Sequence, residues 1–267
     1  YSRRSVLKGS AASTAALVLA GMPFGLAALA TEAHAQTAAP SMAGLAALQL
    51  ALKLEYLEAD FYNMGVTAFA STFTAAEAAA IGQLAKHENA HVALLKGALG
   101  SSAPANVTHD YTGGGGAGTG PFPNVFKDKV EFLKLAQLFE DTGVRAYKGQ
   151  AGNLIADKYY LTVALRIHAV EARHAAKIRR LRAQNAYITQ AQFDAAYTTT
   201  KAASGASQAD LATGVYNSTP VTEANTTERG VNVVGLNGAT ADRVTEAFDE
   251  PLDTASVVAI AGFFGVK

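Results

Sequence analysis

The 267-residue chain contains no cysteine. That absence removes disulfides, thiolate zinc sites, iron–sulfur clusters and a rubredoxin-type electron relay together. Net charge is missing too. Lys plus Arg equal Asp plus Glu at 22 each, so nothing suggests a nucleic-acid footprint or a polybasic membrane patch. Charged residues make up only 16% of the chain and alanine is abundant, which suits buried, close-packed helices. Proline is sparse, and three of the 7 fall together, Pro104, Pro121 and Pro123, in a stretch that also holds Gly113-Gly114-Gly115-Gly116. No packed element fits residues 101–123; they read as a long connection.

The chain opens on a targeting signature. Ser2-Arg3-Arg4-Ser5-Val6-Leu7-Lys8 carries twin arginines and leads into an apolar run through Leu19 and Phe24 to Leu29. Ala33-His34-Ala35 then offers small residues at the two positions a signal peptidase reads. This defines a signal peptide over residues 1–35 and a mature start near Gln36. A transmembrane anchor is the competing reading; the weakly hydrophobic, small-residue run and the cleavage site favour export to the periplasm or the medium, with no membrane association after cleavage. The twin-arginine route carries folded proteins, so a cofactor can be loaded before export.

What the chain has in quantity is helical periodicity. Leu45, Leu48, Leu52, Glu55, Ala59, Tyr62, Val66 and Phe69 recur every three or four residues and predict a first helix from about Met42. Thr74-x-x-Glu77 is a capping box that opens a second helix, with Ile81, Leu84, Glu88, His91 and Leu95 on one face. Gly97 and Gly100 mark its end. A third helix is expected from about Asn124 to Ala151, carrying Phe126, Val130, Leu133, Gln137, Glu140, Val144 and Tyr147. The fourth follows Gly152-Asn153 and runs to about Asn185, with Tyr160, Ala164, Ile167, Glu171, His174, Ile178 and Leu181 as its stripe. After about Tyr187 the composition shifts to Thr, Ser, Ala, Asn and Gly. Residues 186–267 read as an extension of short helices and loops that wraps the bundle of residues 36–185.

On these stripes lies the chemistry. Three residues turn a helix by about 300°, so Glu171 and His174 share a face, as do Glu88 and His91. The signatures repeat. Glu140 follows Glu55 by 85 residues, as Tyr147 follows Tyr62; Glu171 follows Glu88 by 83, as His174 follows His91. A helix pair carrying Glu, then Tyr, then Glu-x-x-His is thus written twice. Glu58 is either a ligand or a solvated neighbour, and the repeat favours Glu55 because the counterpart of Glu58 is Gly143. Taken singly, each of these residues reads as structural. Together, four carboxylates in an apolar core repel one another, and two divalent cations would neutralise them. Oxygen and nitrogen donors without sulfur suit iron or manganese. The metal candidates are therefore Glu55, Glu88, His91, Glu140, Glu171 and His174. Tyr62 and Tyr147 either hydrogen-bond ligand carboxylates from outside or are plain core aromatics, and His87 and His168 fall off the stripes, near the surface.

One Glu, Glu-x-x-His, a long crossover, one Glu and Glu-x-x-His resembles the ferritin-like di-metal carboxylate superfamily. Leu54-Glu55-Tyr56-Leu57-Glu58-Ala59-Asp60-Phe61-Tyr62 and Ala247-Phe248-Asp249-Glu250-Pro251-Leu252 look like its exported, desiccation-related branch. The resemblance implies an all-α fold, an antiparallel four-helix bundle with a long crossover between helices 2 and 3. It also implies two iron or manganese ions, with Glu55 and Glu140 terminal, Glu88 and Glu171 bridging, and His91 and His174 capping one ion each. The chain departs from rubrerythrins in lacking their cysteine domain, and from ferritin cages in its leader and long tail. The leading functional expectation is a di-metal protein reacting with oxygen or peroxide, as a ferroxidase or in catalase-like protection. The alternative is a non-catalytic envelope or desiccation-stress protein with a structural or vestigial site. A small oxidant is the expected partner, nucleic acid is not, and homo-oligomerisation stays open.

Overall fold

The computed structural model describes residues 39–189, 197–218 and 221–267. The expected signal peptide, residues 1–35, lies outside them. Four long helices form the bundle: α1 (Met42–Ala68), α2 (Ala75–Leu99), α3 (Lys129–Gln150) and α4 (Lys158–Leu181). Short links join α1 to α2 and α3 to α4 as antiparallel pairs, and the long crossover joins the two pairs. Among the described residues no helix is long and apolar enough to cross a membrane.

The helix starts are set by local chemistry. Ser41 caps α1 by accepting from Gly44 N, and its hydroxyl donates to Asp157, the residue before α4, at 2.5 Å. Two helix N-termini are thereby pinned together. Thr74 and Glu77 form the expected capping box of α2, and Glu77 also receives Lys129 Nζ at 2.8 Å, tying the start of α2 to that of α3. The third helix begins at Lys129, later than the periodicity suggests, because Asp128 accepts from Val130 N and fixes the N-cap there. The fourth ends at Leu181, short of Asn185, because Ala183 turns to φ 58°. The crossover lacks long regular elements, yet it is not a loose loop: Tyr111, Phe122 and Val125 are buried in the core.

Two hydrophobic clusters fill the bundle. One gathers Phe61, Phe69, Phe132 and Phe139, with Phe61 stacked on Phe132 at 4.5 Å. The other gathers Leu48, Leu52, Leu95, Leu154 and Ile167. Along α2 the first cluster takes residues 81–85 and the second 94–99; along α4 the second takes 160–167 and the first Ile178. Glu88 with His91, and Glu171 with His174, fall in the interval on each helix. A polar layer is thereby held between two apolar plugs.

Beyond the bundle come α5 (Gln208–Tyr216), a two-residue hairpin β1 (Thr227–Glu228) and β2 (Val231–Asn232), α6 (Ala241–Thr245) and α7 (Thr254–Gly262). Both α5 and α7 pack on α3 and on each other. The extension is clamped by a fully buried Arg145, which donates to Glu223 Oε1 and to Glu250 O, each at 2.8 Å, to Val221 O at 2.7 Å and to Val215 O. Leu252 N donates to Arg145 O at 3.0 Å. That approach needs glycine at 149, where a Cβ would stand 1.8 Å from Leu252 O. A second tie runs through Asp141, which receives Arg179 Nη1 at 2.7 Å and Tyr216 OH at 2.6 Å, linking α3, α4 and α5.

Candidate metal centre

The polar layer draws on all four bundle helices: Glu55 and Glu58 from α1, Glu88 and His91 from α2, Glu140 from α3, and Glu171 and His174 from α4. Glu55, Glu88, His91, Glu140 and Glu171 are 0% exposed, and Glu58 and His174 are 3% exposed. The structure thus brings together all six residues singled out by the repeat. His91 Nδ1 lies 3.1 Å from Glu55 Oε2, 2.9 Å from Glu88 Oε2 and 3.2 Å from Glu171 Oε1. His174 Nδ1 lies 2.7 Å from Glu88 Oε1, 3.3 Å from Glu140 Oε2 and 3.7 Å from Glu171 Oε2.

Two groups emerge, in each of which one donor atom per residue lies within 4.8 Å of the others. The first is Glu55, Glu88, His91 and Glu171; the second is Glu88, Glu140, Glu171 and His174. Glu88 and Glu171 belong to both. Many of these short contacts are not hydrogen bonds. Glu88 Oε1, Glu140 Oε2, both oxygens of Glu171 and His174 Nδ1 are buried with no hydrogen-bond partner, even though His174 Nδ1 and Glu88 Oε1 are 2.7 Å apart. These atoms belong to the residues of the two donor groups. Orphaned buried oxygens are costly, and a cation among them would satisfy several at once. The donor set fits iron or manganese.

Electrostatics within the layer are strongly polarised. Burial, reinforced by Glu171 and Glu88 against the pull of His91, pushes Glu55 up to about 8. Burial also raises Glu140 and Glu58 well above the carboxylate range. Burial opposes ionisation of Glu88 as well, but His91 and His174 outweigh it and hold that carboxyl low; Glu171 is likewise lowered by the two imidazoles against burial and Glu88. Burial disfavours charge on His91 and His174, yet the surrounding carboxylates raise both well above their ordinary value.

The tyrosines cross over between the halves. Tyr62 of α1 donates to Glu140 Oε1 of α3, and Tyr147 of α3 donates to Glu55 Oε1 of α1 at 2.5 Å. Burial and the adjacent carboxylates raise both phenols, so they stay O–H donors. Two residues depart from the sequence reading. His87 is half-buried, and its Nδ1 sits 2.8 Å from His174 Nε2 while its Nε2 sits 2.7 Å from the Gln83 amide. Its place one residue before Glu88 was the available signal, since that offset puts it beside the stripe. Glu58 is not solvated. Gly143 lies beside it: a Cβ there would stand at contact distance, 3.4 Å, from both Glu58 Oε1 and Glu171 Oε2. His168 is partly buried and bonds Val144 O at 3.0 Å.

A family model described as the ferritin-like domain matches residues 44–184, more than half of the chain. The chain belongs to the ferritin-like domain family. A second model, for the twin-arginine translocation pathway signal sequence, matches residues 1–20. This is therefore an exported ferritin-like protein, carried by the twin-arginine route to the periplasm or beyond. No curated protein and no solved structure matches it. In this ferritin-like chain the family domain ends close to the last bundle helix, so α5, α6 and α7 are additions to it.

Proposed function

We propose that this exported ferritin-like protein holds a di-iron or di-manganese carboxylate centre that reacts with dioxygen or hydrogen peroxide, in oxidative or desiccation-stress protection. The observation that carries the reading is the sharing of Glu88 and Glu171 between two otherwise separate donor groups. Glu55 and His91 would hold one ion, Glu140 and His174 the other, and the shared carboxylates would bridge. Four carboxylates and two neutral imidazoles balance two divalent cations. When bound, such a pair supplies Lewis acidity and two adjacent one-electron redox centres.

The chain's own residues do the rest. Tyr147 and Tyr62 each occupy one oxygen of Glu55 and Glu140, which orients the other oxygen inward. His87 steadies the His174 ring from outside. The two apolar clusters keep bulk water away from the layer, so a small oxidant is favoured over a bulky organic substrate. Complete burial of the donors favours a second reading, a structural site in a non-catalytic envelope protein.

Elemental analysis and stopped-flow spectroscopy separate the two. Purified protein from metal-replete medium should carry close to two iron or manganese ions per chain. Metal-loaded protein should consume hydrogen peroxide or oxidise ferrous ion faster than its Glu55→Ala/Glu140→Ala variant. Absence of transition metal refutes the centre. Rates equal to those of free metal, in both proteins, leave the structural reading.

A further inference from the structure

A cleft of about 280 Å³ opens against α1, lined by none of the residues of the polar layer. Three segments wall it: Lys53 and Tyr56 of α1, Asn106, Val107 and His109 at the start of the crossover, and the residues beyond α7 that include Val266. Hydrogen bonds hold the three together. Tyr56 OH donates to Pro104 O at 3.3 Å, Asn106 Nδ2 to Asp60 Oδ2 at 2.9 Å, Asp110 N to Phe264 O at 3.0 Å and Lys53 Nζ to Lys267 O at 2.5 Å. Lys53 brings a cation to the cleft, with two ammonium protons still to donate. Among the described residues no carboxylate side chain lines it. His109 brings an acceptor. Its side chain is only 2% exposed. Tyr111 OH donates to Leu57 O at 2.8 Å, so it can only accept from His109 Nδ1, 3.3 Å away, and Asp60 Oδ2 stands 3.5 Å from the same nitrogen. The ring proton is therefore on Nδ1 and the lone pair on Nε2. That Nε2 has no hydrogen-bond partner among the described residues and is not one of the fully sealed polar atoms, which leaves it open to the cleft. Burial lowers the imidazole's pKa and keeps it neutral.

We propose that this cleft binds a small hydroxycarboxylate, with Lys53 holding the carboxylate and His109 Nε2 accepting from the hydroxyl. A cation without a competing carboxylate selects an anion. A nearly buried lone pair selects a ligand that also carries an O–H, because an anion with no proton to give leaves Nε2 unpartnered. Tyr56, Val107 and Val266 supply apolar wall, which favours a carbon body over inorganic phosphate. The volume lies at the lower edge of the range of about 300–1,000 Å³ for small-molecule sites, so the acid is small. Since the residues beyond α7 complete the cleft and lie outside the ferritin-like domain, the site is an addition of the C-terminal extension to the bundle. It does not depend on the metal centre.

Calorimetric titration of the full chain with 4-hydroxybenzoate, benzoate and 4-hydroxybenzamide tests this. The first has both groups, the second lacks the hydroxyl and the third lacks the charge. 4-Hydroxybenzoate should bind with Kd on the order of 0.1–1 mM. Each of the others should bind about tenfold more weakly. His109→Asn keeps a donor in place of Nδ1–H and deletes Nε2. It should weaken 4-hydroxybenzoate about tenfold and leave benzoate unchanged. Lys53→Met should weaken both acids and spare the amide. Ala105→Trp fills the cleft from an exposed position on the crossover and should abolish binding of all three; it keeps the test decisive if a change in α1 disturbs the helix. No binding of 4-hydroxybenzoate at about 10 mM overturns the site. Binding that survives Ala105→Trp overturns it too. Benzoate binding as tightly as 4-hydroxybenzoate, or inorganic phosphate displacing the acid at equal concentration, overturns the hydroxycarboxylate assignment.

Discussion

Metal uptake should expel about four protons from each chain near neutral pH as two divalent cations enter. In the metal-free centre Glu55, pushed up to about 8, and Glu140, also raised well above the carboxylate range by burial, keep their protons. His91 and His174 are cationic because the carboxylates raise them. Glu88 and Glu171 are held low and stay ionised. Two positive imidazoles and two negative carboxylates thus neutralise the layer. Binding requires all four carboxylates ionised and both imidazoles neutral, so one proton leaves each of Glu55, Glu140, His91 and His174. Glu58, raised but outside the ligand set, keeps its own.

The sign follows directly. Every group that must lose a proton has a raised folded pKa, so raising the pH removes a competitor and strengthens metal binding. Below about 8, where Glu55 ionises, the logarithm of the two-metal binding constant should rise by up to about four per pH unit. Metal-free stability moves the other way. The folded state holds protons on Glu55 from the ordinary carboxylate range up to about 8, and on both imidazoles above 6.5, that the unfolded chain has released. Stability without metal should therefore fall as pH rises through that window. Calorimetric titration of manganese(II) into metal-free protein, in two buffers of different ionisation enthalpy, counts the protons. Release of about one or none, or affinity that weakens with rising pH, would refute the self-neutralised layer.

Other perturbations probe neighbouring parts. Glu171→Ala removes a donor common to both groups and should drop metal content well below two per chain by elemental analysis. Tyr147→Phe and Tyr62→Phe each free an oxygen of Glu55 or Glu140 and should weaken metal retention about 10- to 100-fold in chelator competition. Arg145→Met strands Glu223 and the carbonyls of Val215, Val221 and Glu250. It should cost about 3–5 kcal/mol in urea unfolding of the metal-free protein, with part recovered when Glu223→Gln is added. A loss under about 1 kcal/mol would show that the clamp is dispensable. Gly149→Ala should displace Leu252 and speed proteolysis of residues 249–254 while leaving bundle helicity by circular dichroism intact.

Much of this was legible in the sequence because helices impose a period and a duplication checks it. The stripes placed Glu55, Glu88, His91, Glu140, Glu171 and His174 on buried faces, and the repeat paired Tyr62 with Tyr147 but left open whether they bond carboxylates or only fill the core. Periodicity could not say which carboxylate each tyrosine meets. The answer, each reaching the other half's glutamate, depends on how α1 packs against α3. The extension stayed unread for a different reason. Arg145 looks in sequence like any helix-surface cation, and the carbonyls it gathers come from Val215, Val221, Glu250 and Pro251, which form no motif. The crossover's buried Tyr111 and Phe122 were hidden by the glycines and prolines around them.

The halves of the repeat are not identical, and the places where they differ are the informative ones. Glu58 corresponds to Gly143, so one half places a carboxyl beside the centre where the other has no side chain, and a Cβ at 143 would stand in contact with both Glu58 and Glu171. His87 corresponds to Val170. Consequently His174 Nε2 has an imidazole partner on its outer side, whereas His91 Nε2 is buried with none. The group holding Glu140 and His174 is linked through His87 and Gln83 toward the surface, and the group holding Glu55 and His91 is sealed. A duplicated ligand set in an asymmetric surround makes two unequal metal positions. One has a hydrogen-bonded path to solvent; the other shares its helix, α1, with the buried Glu58, a carboxyl that the ligand set leaves spare.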